Sequence, residues 1–165
     1  MGTAVWGLIG TVVGAIASIG AAWLAAHSTS GREFAKLQAD RTDRAHAFQR
    51  QNLIDLQDAL HDYMRLLYLA HLHDKAAYSV GAAWGTILLE DGLDAELRIA
   101  NRRVSILIER ISSDALRAGV KKLMGSATRV LLAKSEEASS LGIQQIGLCA
   151  IELFERLGST LRSHY

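Results

Sequence analysis

The stretch LIDLQDALHDYMRLLYLA, residues 53–70, decides the fold. Leu53, Leu56, Leu60, Tyr63, Leu67 and Ala70 recur at steps of three and four. That spacing places them on one face of an α-helix. Leu66, Leu69 and Leu72 widen the stripe. The segment therefore predicts a helix that enters a core.

Downstream, the pattern breaks around Gly81, Gly85 and Gly92. Trp84 lies between two of these glycines, where a large ring can pin the connection to the core. Leu93, Leu97, Ala100, Val104, Leu107 and Ile111 form a second series, which Asp91 or Asp94 can cap. Ser112, Ser113 and Asp114 predict a kink or a fresh N-cap. The series resumes as Leu116, Val120, Leu123, Ala127 and Val130. Ser135, Glu136 and Glu137 open a last helix, with acids suited to its positive N-terminal dipole. Its apolar face is Ile143, Ile146, Ala150, Leu153, Phe154, Leu157 and Leu161. The 165-residue chain has no proline, and half its residues are hydrophobic but only 6% aromatic. An all-α fold follows, with three or four helices packed as a bundle over residues 51–165.

Upstream, residues 32–50 form a charged helical neck. Phe34, Leu37 and Phe48 are its large apolar residues, and Arg41 and Arg44 occupy the places where a coiled-coil seam would continue. Before it, residues 27–31 read as a short polar break. Ser30 can cap the next helix, with Glu33 completing a capping box, although Gly31 would fall in the first turn.

Residues 4–26, AVWGLIGTVVGAIASIGAAWLAA, contain no charge. As a helix they reach roughly 35 Å, enough to cross a hydrocarbon core of roughly 30 Å. Trp6 and Trp23 stand near the ends as interface anchors. A cleaved signal peptide would carry a basic leader, and none of the first five residues is Lys or Arg. The run therefore reads as a transmembrane helix. Basic residues follow it at Arg32, Lys36, Arg41, Arg44 and Arg50 and are missing before it. The positive-inside rule then places the N-terminus outside and the domain in the cytoplasm, as a single-pass protein of the cell membrane. Gly10, Gly14, Ser18, Ala22 and Ala26 recur every four residues. Small residues at that spacing let helix backbones approach closely, either in self-association or against another span.

Candidate sites are few. Asp58, His61 and Asp62 share a helix face and could hold a metal if another helix completed the shell; a plain polar face, with Asp62 in reach of Arg65, explains them as well. His71 and His73 point to nearly opposite sides of a helix, so they cannot chelate together. Arg103, Arg110 and Arg117 recur every seven residues, with Lys121 after them. They suit either an anionic surface or the acidic stripe of Asp55 and Asp62, also seven apart. The second reading makes them interhelix charge stripes and is the one favoured here. Cys149 lies in an apolar helix without a helically spaced His, as a packed thiol would. No nucleophile elbow or phosphate-binding glycine loop is present, so neither catalysis nor a cofactor is expected. A net charge of +1 points away from a nucleic-acid partner.

The uncharged run, FQRQNLIDLQDALHDYMR (residues 48–65), Trp84 and ANRRVSILIERISSDALR (residues 100–117) together resemble a loose group of small bacterial single-span membrane proteins of unknown function. The resemblance implies a topology: a span, a charged helix and a cytoplasmic helical domain. The function expected is a non-enzymatic, membrane-anchored interaction or scaffold module. Its partners would be the lipid bilayer and either further copies or a larger membrane complex. An oligomeric pore or membrane-active effector is the alternative, though Thr11 and Ser18 alone provide little polarity for a wet lumen. A ligand-sensing helical domain is the third.

Overall fold

The computed structural model describes the backbone of residues 2–163 and the side chains of residues 14, 17–19, 21–23 and 33–163. The described residues are helical without a strand. Four helices follow in order: α1 (Gly2–Ser79), α2 (Asp91–Ile108), α3 (Asp114–Leu131) and α4 (Glu136–Arg162). The chain divides into two units, Met1–Ala45 and His46–Tyr165.

In the first unit the chain is helical from Gly2 onward, including the expected polar break at residues 27–31. No second helix begins at Ser30, which corrects the sequence expectation. A single glycine costs a helix only about 1 kcal/mol, and there is no proline to stop propagation. Within the charged neck, Arg44 pairs with Asp40 one turn away, and Thr42 Oγ1 donates to the Gln38 carbonyl at 3.0 Å. Phe34 and Leu37 are exposed. Among the described residues, no helix is long and apolar enough to cross a membrane. Most side chains of residues 4–26 lie outside the described ones.

The second unit contains the core. Leu53, Leu56, Leu60, Tyr63, Leu67 and Ala70 of α1 are all buried, as their spacing predicts. Leu66 joins them. Leu69 and Leu72 do not: both are exposed, because their positions turn away from the stripe. Leu97, Ala100, Val104 and Leu107 of α2 pack with Ile111, and all five apolar positions of the α3 series are buried. From α4, Ile146, Ala150, Leu153 and Leu157 fill the remaining side, flanked by partly buried Ile143, Phe154 and Leu161. Each fully buried aliphatic side chain stabilises the fold by about 1.5–3 kcal/mol relative to exposure.

Helix ends follow local chemistry. α1 stops where Gly81 takes φ +95°, a left-handed conformation that glycine adopts without strain. The Gly81 amide donates to the Tyr78 carbonyl at 3.0 Å and the Ala82 amide to the Ala77 carbonyl at 3.2 Å. These two bonds are the Schellman pair that satisfies the last carbonyls of a helix. Gly85 is also left-handed, at φ +68°, and Trp84 between the two is buried. Ser113 caps α3, accepting from the Leu116 amide at 3.3 Å. Ser135 caps α4, accepting from the Ala138 amide at 3.2 Å. α2 differs from expectation. Its N-cap is Glu90, whose side chain makes no capping bond, while Asp91 and Asp94 lie within the first turn. There they complement the helix dipole, and Asp94 pairs with Arg98.

The α3–α4 contact is close because it is built on glycines. A Cβ on Gly142 would lie 2.5 Å from Val130 Cγ2, and one on Gly119 would lie 3.0 Å from Leu153 Cδ1.

Candidate functional site

The acidic and basic stripes meet at one point. Arg103 Nη1 of α2 lies 3.6 Å from Asp62 Oδ2 of α1, with both side chains half exposed. The other expected partners go elsewhere. Asp55 accepts from Gln51 Nε2 at 2.9 Å, one turn away on its own helix. Arg117 pairs with Asp114 and donates to the Ile111 carbonyl, so it secures the α2–α3 connection locally. Lys121 reaches Glu109 at 3.0 Å. Arg110 lines a shallow groove of about 400 Å³ with Asp55, Ile99, Arg102, Arg103 and Ile106. The seven-residue repeat of the arginines drifts around a 3.6-residue helix and α2 ends at Ile108, so the three cannot all face α1.

Of the three residues weighed as metal ligands, His61 and Asp62 are otherwise engaged, Asp62 by Arg103. The ring of His61 stacks on Phe154, with centroids 4.3 Å apart and planes at 16°. His61 Nδ1 lies 2.9 Å from the Gln57 carbonyl, which can only accept, so this nitrogen carries the proton. Among the described residues, no group of three or more His, Cys, Asp or Glu is placed to hold a metal ion.

A buried polar cluster joins α1, α4 and the α1–α2 connection. His71 Nδ1 and Ser139 Oγ share a hydrogen bond of 2.8 Å, and both residues are buried. The His71 ring lies 5.6 Å from Trp84, which also meets Tyr78 edge-on at 5.8 Å. At the edge, Lys75 Nζ stands 3.8 Å from Glu136 Oε1, and the Ser140 hydroxyl donates to Glu136 at 2.9 Å. Burial pushes His71 below the ordinary histidine range, and the Lys75 charge adds to this against the opposing Glu136 and Asp74. Burial also raises Asp74, opposed by His73 and His71. Ser139 is 1% exposed, so its hydroxyl faces the bundle interior, where its bond to His71 ties α4 to α1. Position 139 lies in a run of small polar residues at a helix start and carries no periodic signal. Spacing tests His71 only for chelation with His73, which it rules out, and carries no sign of a buried partner.

A second polar contact also escaped the pattern. Gln49 Nε2 donates to the Arg110 carbonyl at 3.1 Å, and Gln49 Oε1 accepts from the Ser112 amide at 3.1 Å. One side-chain amide thus holds both ends of the α2–α3 connection. Cys149 is half-buried beside Gly119 and Lys122 in a depression of about 120 Å³.

Of the small-residue row, Gly14, Ser18 and Ala22 are exposed, and Trp23 is 69% exposed. The side chains of Gly10 and Trp6 lie outside the described residues. No family model, curated protein or solved structure matches the chain.

Proposed function

We propose that the protein is a membrane-anchored helical interaction module, which self-associates or serves as an accessory subunit of a membrane complex. The observation that carries this reading is the content of α1. The uncharged run of residues 4–26 and the first core-forming segment of the bundle belong to one helix, Gly2–Ser79. A span of this length suits a bilayer, and Trp6 and Trp23 suit its two interfaces. The basic residues after it favour a cytoplasmic bundle. Exposed apolar side chains on α2 and α4 support an interaction role, since such surface marks contact sites when it is grouped. Gly14, Ser18 and Ala22 would add a close-packing face within the bilayer.

Membrane fractionation tests the anchor. The full chain is expected to stay with membranes after alkaline carbonate washing, and a variant lacking residues 1–26 to leave them. Release of the full chain by that wash overturns the anchor.

A further inference from the structure

Two exposed faces of the bundle match in spacing and oppose in charge. On α2, Ile99 and Ile106 are 68% and 46% exposed, beside Arg102, Arg103 and Arg110. On α4, Leu141 and Leu148 are 56% and 68% exposed. Helical spacing places Glu137, Ile151, Glu152 and Glu155 on that same face of α4, and all four are exposed. Both apolar pairs are seven residues apart, about 10 Å along a helix. Among the described residues, Arg102, Arg110, Glu137, Glu152 and Glu155 form no ion pair within the chain.

We propose that the α2 face of one copy docks antiparallel on the α4 face of a second copy. This rests on the self-associating form of the reading above and names its surface. Setting Ile99 against Leu148 and Ile106 against Leu141 brings Arg110 opposite Glu137 and Asp91 opposite Arg156. Both ends of the contact then carry opposite charges. The parallel register with the same apolar matches sets Arg110 against Glu152 but leaves Asp91 opposite Ala133. Complementary charge at the ends selects the antiparallel register and makes the contact sensitive to salt. The two faces are unlike, so the contact is heterologous at the level of the helices.

Single-cysteine variants of the full chain in mild detergent test the register. Ile106→Cys and Leu141→Cys, each combined with Cys149→Ser, are mixed and oxidised. The expected result is a mixed disulfide at several times the yield of an Ile106→Cys and Leu148→Cys mixture. That control pair is displaced by about 10 Å, beyond disulfide reach. Equal yields overturn the register. Arg110→Glu is expected to weaken association about tenfold, and Glu137→Arg in the same chain to restore it, as charge reversal at a complementary contact does. Association unchanged by Arg110→Glu overturns the surface while leaving self-association standing. A chain that is monomeric at every concentration overturns both.

Discussion

His71 on α1 and Ser139 in the first turn of α4 are joined by a 2.8 Å hydrogen bond inside the bundle, sixty-eight residues apart in sequence. The ring is held below the ordinary histidine range by its burial and by Lys75, with Glu136 and Asp74 opposing. A group depressed on folding contributes stability that is full above its unfolded value, about 6.5 for histidine. That contribution is lost as the pH falls through the folded value. Asp74 has the opposite sign: its folded value is raised, so its contribution is full below the unfolded carboxyl value and lost as the pH rises. The stability difference between the native chain and His71→Gln should therefore shrink as the pH is lowered from 8 to 5. Urea unfolding across that range checks it; a difference that grows or stays flat contradicts the assignment.

The Gln49 amide uses both of its ends, donating to Arg110 and accepting from Ser112. Gln49→Ala should cost about 1 kcal/mol, since these bonds are partly open to water. Gln49→Glu should recover little of it. A carboxylate keeps the acceptor for the Ser112 amide but sets a negative oxygen against the Arg110 carbonyl. Thermal unfolding at neutral pH compares the two.

Gly142 is where α3 and α4 approach. An alanine there meets Val130 Cγ2 at 2.5 Å, and a β-branched side chain in a helix has no easy rotamer to retreat to. Overpacking of this kind costs about 1–3 kcal/mol, against about 1 kcal/mol gained in helix propensity. Gly142→Ala should be destabilising on balance. Adding Val130→Ala should give less loss than the sum of the single changes, which a double-mutant cycle measures.

Helix caps provide a paired expectation. Ser113→Ala and Ser135→Ala should each cost about 1 kcal/mol, because each hydroxyl accepts from an amide of the first turn. Glu90 occupies an N-cap without making such a bond, in an extended conformation that suits one. Glu90→Ser should stabilise the bundle by about 0.5–1 kcal/mol. Chemical denaturation of the three variants tests both directions together.

Much of the bundle was legible because burial leaves a periodic trace. Leu53 to Ala70, the α2 and α3 series, and the serine caps at 113 and 135 all lie where spacing and cap chemistry put them. Leu69 and Leu72 were misread because a leucine adjacent to a stripe looks like part of it until the turn angle is followed. The break expected at residues 27–31 failed because polarity alone does not end a helix. Polar pairs were the least legible. Nothing local ties Gln49 to Arg110, or His71 to Ser139, since each bond spans more than sixty residues. The arginine repeat showed the reverse fault: a regular spacing suggested one shared role, yet Arg103 meets α1 while Arg117 serves its own connection.

The native mass of the full chain, released from its own membranes in lipid nanodiscs, is the most direct test of the account. A particle holding two or more polypeptides, either copies of this chain or a larger complex, is the result expected. A particle holding one copy alone, or a chain found outside the membrane fraction, would contradict it.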